Sequence, residues 1–285
     1  MGNAIEVTNL CKYYPNFSLN NINFTVPNGI CCGFVGPNGA GKTTTLKAML
    51  GMVRKDYGEV RLLGKADGDV TVKEDIGVMF DQPYFQEDWS ALDIEKGIKP
   101  FYRSWSESEY RKYLSRFEIN PRAKFKTLSR GMKMKLAMAV SLAHETKLLL
   151  LDEPTGGLDP VARDEMLDIL QDYLINEERT ILFSTHITSD LERIADMIVY
   201  ISHGSVTFCG EKDELLSKYC VVRGGVLPEN KRKYAIGLRE YSAGFECLME
   251  VEHIGGLPSD TITERATIDN VIVYFERSSK QCSIC

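Results

Sequence analysis

Gly36-Pro37-Asn38-Gly39-Ala40-Gly41-Lys42-Thr43-Thr44 decides how this chain is read. The stretch fits Gly, four residues, Gly-Lys-Ser/Thr at every fixed position, the P-loop pattern. Before it, Ile30-Cys31-Cys32-Gly33-Phe34-Val35 is a short apolar run that predicts a buried strand; after it, Thr44 to Leu50 predicts a helix. Strand, glycine loop and helix form the context that the pattern requires. Glycine permits positive φ and close approach of phosphate oxygens. The loop's N–H groups then converge as an anion nest, and the helix N-terminus adds partial positive charge. Lys42 would reach the β- and γ-phosphates of a nucleotide, and the Thr43 hydroxyl would ligate Mg²⁺. A Gly-rich turn followed by a chance Lys-Thr is the plain alternative, and the flanking pattern counts against it.

Working outward, 285 residues suit one large α/β domain with something smaller, or two modest domains. No apolar run approaches the ~18 residues of a membrane span. Met1-Gly2-Asn3-Ala4-Ile5-Glu6 lacks a basic region followed by an apolar core, so no signal peptide is expected, and Glu6 stands where a myristoylation site needs Ser or Thr. A formal charge of −6 argues against a general nucleic-acid binder. The eight cysteines are scattered, several inside apolar runs (Cys31, Cys32, Cys209), and read as reduced small hydrophobes. Cys282 and Cys285 lack the further ligands of a zinc site and read as a frayed tail.

Ile5–Leu10 and Ile22–Val26 alternate as strands, as does Gly58–Leu62 beyond the loop helix. Ile76–Phe80 is a buried strand ending at Asp81-Gln82-Pro83. From about residue 84 to 143 helical spacing replaces strand signals: Ser106 caps a helix to Phe117, and Ser129 opens another to about His144. Sheet character resumes at Leu148-Leu149-Leu150-Leu151, followed by a helix from Val161 to Tyr173, a strand at Thr180–Ser184 and a hairpin about Ser202-His203-Gly204. After a short helix from Glu211 to Tyr219, the remaining residues read as a small α+β domain, with a last helix from Ile268 to Phe275 and no site chemistry.

The four leucines place Asp152-Glu153 at the carboxyl end of a central strand, where open α/β sheets bind ligands. Lying 110 positions after Lys42, the pair suits phosphoryl transfer: Asp152 to hold Mg²⁺, Glu153 to orient and deprotonate the attacking water. Leu128-Ser129-Arg130-Gly131-Met132 precedes a helix about twenty residues before these acids. With Thr155-Gly156-Gly157-Leu158-Asp159-Pro160 and Ser184-Thr185-His186, the set resembles the ATP-binding cassette (ABC) ATPases, over about residues 4 to 218. Leu128–Met132 is similar to their signature motif, usually Leu-Ser-Gly-Gly-Gln; the second stretch to the D-loop; the third to the switch-histidine loop. Tyr14 sits where the family places an aromatic that stacks on adenine, with Tyr13 adjacent as an alternative.

The resemblance implies an α/β fold: a P-loop NTPase cassette with a mixed-sheet core, an antiparallel edge subdomain and a helical insertion (about 84–143) in residues 1–218, followed by a small α+β accessory domain in 219–285. It implies ATP and Mg²⁺ as cofactors. It also implies a second cassette, identical or paired, whose Ser129, Arg130, Gly131, Met132 and Asp159 counterparts would face the nucleotide held by Gly36–Thr44. Glu153, His186 and Lys42 would carry catalysis, and Thr43 and Asp152 the metal. Two departures stand out. Arg130 replaces a glycine and Met132 a glutamine; Arg130 could add charge near phosphate or project to solvent. The Mg²⁺-proximal glutamine aligns with Asp81, with Gln82 next to it, and either could approach the metal. Arg122, Lys124, Lys126, Arg130, Lys133 and Lys135 make a basic run, either a solvated face or an attraction for an anionic partner. The resemblance further implies the ATPase subunit of an exporter-type transporter, cytoplasmic and held on the inner face of the cell membrane by separate permease subunits that meet the helical insertion near Pro83-Tyr84-Phe85 and Trp89. The alternative is a soluble ABC-type ATPase working on ribosome or DNA. No nucleic acid is expected as a partner.

Overall fold

The computed structural model describes residues 2–83 and 85–282, with the side chains of 279–282 excepted. The expected contact at Tyr84 and the terminal cysteine pair therefore lie outside the described residues. The chain forms two compact units, Met1–Cys209 and Gly210–Cys285.

In the first unit, β1 (Asn3–Tyr14) and β2 (Phe17–Pro27) form a long antiparallel pair. After β3 (Cys31–Val35) and α1 (Lys42–Met49), β4 (Tyr57–Leu62) and β5 (Lys65–Ala66) complete a four-stranded antiparallel sheet, order β2-β1-β4-β5. The alternation read in these strands has a direct cause: one face packs on the core through Ile5, Val7, Leu10, Val60 and Leu62 while the other meets solvent.

The second sheet is built differently. It contains β3, β6 (Ile76–Met79), β7 (Leu148–Asp152), β8 (Thr180–Thr185), β9 (Met197–Ser202) and β10 (Ser205–Glu211), in the order β10-β9-β3-β8-β7-β6. Strands β9-β3-β8-β7-β6 run parallel. All residues of β3, β7, β8 and β9 are buried, as their unbroken apolar runs require of strands covered on both faces. His203 and Gly204, both at positive φ, turn β9 into β10.

Between β6 and β7 lie α2 (Ala91–Ile98), α3 (Glu107–Arg116) and α4 (Arg130–Ser141). Each starts on a serine whose hydroxyl accepts a backbone N–H: Ser90 from Asp93, Ser106 from Glu109 and Ser129 from Met132. The half-buried pair Arg111–Glu95 ties α3 to α2 at 2.6 Å. α5 (Pro160–Leu174) follows β7, and α6 (Thr188–Ile194) follows β8.

The second unit opens with α7 (Lys212–Lys218), which packs on β11 (Tyr219–Gly224). α7 thus lies in the second unit, which begins at Gly210. β12 (Ile236–Tyr241), β13 (Gly244–Glu250) and β14 (Ile262–Arg265) complete an antiparallel sheet, order β12-β13-β11-β14, with a small core of Cys220, Val222, Leu227, Phe245, Cys247 and Met249. α8 (Ile268–Cys282) packs against β12 and β13 and runs past the expected end at Phe275.

Candidate nucleotide site

Because β6, β7, β8 and β3 are consecutive parallel neighbours, their carboxyl ends share one sheet edge. That edge collects Asp81 after β6, Asp152 and Glu153 at β7, His186 after β8 and the glycine loop after β3. A cleft of about 540 Å³ opens there, lined by Asn38, Gly39, Gly41, Lys42, Thr43, Thr44, Asp81, Asp152 and Glu153, together with Asn16 and Phe17.

The loop's shape follows from its glycines. A Cβ on Gly36 would stand 2.1 Å from the carbonyl oxygen of Ile201, so the loop can leave β3 only by passing against β9 with no side chain between. Gly41 caps α1 at φ 114°, a left-handed conformation that L side chains rarely adopt. Lys42 is buried, and its Nζ donates to the carbonyls of Gly36 (2.7 Å) and Pro37 (3.2 Å). Burial draws this ammonium below its ordinary range, while the charges of Glu153 and Asp152 oppose the shift.

Asp152 is 2% exposed. Its Oδ2 accepts from Thr43 Oγ1 at 2.6 Å and its Oδ1 from Ser184 Oγ at 2.5 Å. Among the described residues no basic side chain forms an ion pair with it. A buried carboxylate satisfied only by hydroxyls, beside a threonine oxygen, fits the all-oxygen set that a hard divalent cation prefers. Glu153 takes positive φ (53°), and its N–H donates to Ser184 O at 2.9 Å. Glu153 Oε2 lies 2.7 Å from His186 Nδ1 and also accepts the His186 N–H at 3.3 Å. The carboxylate is thus held between two strand ends, with His186 exposed beyond it.

Behind these loops lies a buried network that residue spacing does not announce. Asp190, 1% exposed, accepts from Thr155 Oγ1 at 2.6 Å and from Arg163 Nε at 2.5 Å. It joins the segment after Glu153 to the helix after His186. Phe17, which no motif named, also lines the cleft, and Ser184, the first residue of the Ser184-Thr185-His186 motif, holds Asp152. Tyr14, expected on the adenine ring, is partly exposed at the end of β1 with Lys12 Nζ 5.4 Å from its ring centroid, and is not among the residues lining the cleft. Gln82 is likewise outside that lining, whereas Asp81 is part of it.

Ser129, Arg130, Gly131, Met132 and Asp159 also lie outside that lining. Ser129 is exposed while capping α4. Asp159 caps α5, and the N–H groups of Ala162 and Val161 hold its carboxyl below the usual carboxylate range. Arg130 turns back to Asp81, Oδ1 to guanidinium nitrogen 2.6 Å. The rest of the basic run is largely engaged within the chain: Lys124 and Lys126 with Asp88, Lys135 with Glu165, and Lys133 over the Phe125 ring.

Residues 19–156 match the ABC transporter family (ABC_tran). The lantibiotic transport ATP-binding protein SrtF of Streptococcus pyogenes is 34% identical over 212 residues, covering 73% of this chain and 91% of that protein. An uncharacterized ABC transporter ATP-binding protein, all4389 of Nostoc sp., is 35% identical over 206 residues, 70% of this chain and 61% of that protein. A solved ATP-binding subunit of an ABC transporter superposes with a TM-score of 0.65 at 28% identity, over 74% of this chain and 91% of that one. The chain belongs to the ABC transporter ATP-binding family.

Proposed function

We propose that the chain hydrolyses ATP between two cassettes and so drives separate permease subunits of an exporter, at the inner face of the cell membrane. The observation that carries the reading is the juxtaposition at one sheet edge of an anion-binding loop, a buried Asp152 beside Thr43, and Glu153 braced by His186. Lys42 exchanges its own loop carbonyls for phosphate oxygens. Glu153, at the mouth of the cleft, orients a water and takes its proton, while His186 fixes the carboxylate and can face the γ-phosphate. Thr43 and Asp152 would hold Mg²⁺, which when bound supplies charge stabilisation for the transferring phosphoryl group, while Asp81 is engaged by Arg130. Ser129 and the N-terminus of α4 present a hydroxyl and backbone N–H groups to the nucleotide of a second cassette.

The export reading is supported by the resemblance and by SrtF, whose name assigns it to lantibiotic transport. No described helix is long and apolar enough to cross a membrane, in keeping with separate permease subunits. A groove of about 510 Å³ lined by apolar residues including Leu50, Phe80, Phe85 and Phe101 supports a permease contact at the start of the helical segment. Purification from membranes tests this reading. The chain should arrive with an integral membrane protein and turn over ATP, and Lys42→Ala should abolish nucleotide binding. ATP turnover without any membrane subunit, but with ribosomes or DNA, would favour the soluble alternative.

A further inference from the structure

Asp81 gives the cleft a third carboxylate beside Asp152 and Glu153, in a place that must admit a highly charged anion. The same residue also lines the neighbouring cleft of about 920 Å³, where Arg130 and Lys133 stand. It is therefore a wall between the nucleotide on one side and a cation on the other. Arg130 is the first residue of α4, where the helix dipole disfavours positive charge, so the stability of α4 does not call for it. Its guanidinium instead reaches Asp81 Oδ1 at 2.6 Å. It is seated over Gly157, where a Cβ would come within 3.1 Å of Cζ, and Gly156 brings the same loop to within 3.8 Å of Asp81 Oδ1, measured from the position of its absent Cβ. Three segments far apart in sequence thus converge on one ion pair.

We propose that Arg130 is a positioning residue that acts through Asp81. Within one chain it offsets the Asp81 charge and fixes that carboxylate in the wall, so that the cleft accepts a nucleoside triphosphate that an uncompensated third carboxylate would help to repel. This rests on the reading of the cleft as the ATP site and adds to it the source of the charge balance. Both side chains are about half exposed (60% for Arg130, 40% for Asp81), which makes the pair exchangeable and its effect modest.

The test is a double-mutant cycle read by equilibrium binding of a fluorescent ATP analogue to the full chain, with Mg²⁺ and again in EDTA, at low and high salt. Arg130→Met should weaken binding roughly threefold to fivefold at low salt, the range of an exposed charge pair, and less at high salt. Arg130→Lys should bind within about twofold of the parent. Adding Asp81→Asn to Arg130→Met should restore affinity, which a purely structural defect would not allow. A loss that Asp81→Asn fails to rescue would mean that Arg130 acts directly or on a partner, and would overturn the proposal. So would parental affinity in Arg130→Met while Lys42→Ala abolishes binding, a result that leaves the ATP site standing. A parent chain that binds no ATP would remove both.

Discussion

Glu153 carries the sharpest expectation at the scale of single residues. Glu153→Gln keeps the shape and the contacts to the strand end but removes the base, so kcat should fall by about 10²-fold or more while ATP affinity stays near parental. Single-turnover hydrolysis beside a binding titration separates the two; unchanged turnover would end the assignment. Residues of this kind were legible because their chemistry demands both a type and a spacing: a glycine loop ending in Lys42-Thr43, then two acids after four leucines. Asp81, Arg130 and Phe17 were not legible in the same way. Their roles depend on which side chains meet in space: the sequence leaves Asp81 or Gln82 open, and Tyr14 or Tyr13, leaves the direction of Arg130 open, and does not single out Phe17. The turn between β1 and β2 puts Phe17, not Tyr14, against the loop, with its ring 2.9 Å from where a Gly41 Cβ would be.

At the scale of elements, the serine caps and apolar runs mark the helices and strands to within a few residues, because capping and burial are local requirements. What holds the elements together is less visible. Asp190 pairs with partners 27 and 35 positions away. Asp190→Ala would leave Arg163 with only Ser189 and the buried Thr155 hydroxyl without its acceptor, and should destabilise the first unit by about 1–3 kcal/mol, measured by urea unfolding. His144 is a second such case. It is buried against Tyr102, ring centroids 4.0 Å apart, with Nε2 3.3 Å from Ile76 O. Burial holds its pKa below the ordinary 6.5, so the unfolded chain takes up the proton first. Stability from this residue is complete above the ordinary value and declines as pH falls from there toward the lowered value of the fold. Melting temperature should therefore drop on acidification from about pH 7 to 5, and His144→Gln should make that decline shallower. An unaltered slope would count against it.

For the molecule as a whole, the most direct expectation concerns the apolar groove. Phe101 is 76% exposed at its rim, so Phe101→Glu should leave the fold and nucleotide binding intact yet prevent recovery of the chain with a membrane subunit. Continued co-purification would move the docking surface elsewhere. A consequence of larger reach comes from Ser129. It lies on the exposed start of α4, outside the cleft that its own chain forms. If, as proposed, Ser129 serves the nucleotide of a second cassette, a solitary copy possesses both halves of a reaction centre yet has no means of joining them. Activity per molecule should vanish on dilution and climb with protein concentration until pairing saturates, a second-order signature that a self-sufficient enzyme would never show. Lengthening the time two copies remain in register, for instance by tethering them head to tail, should abolish that dependence.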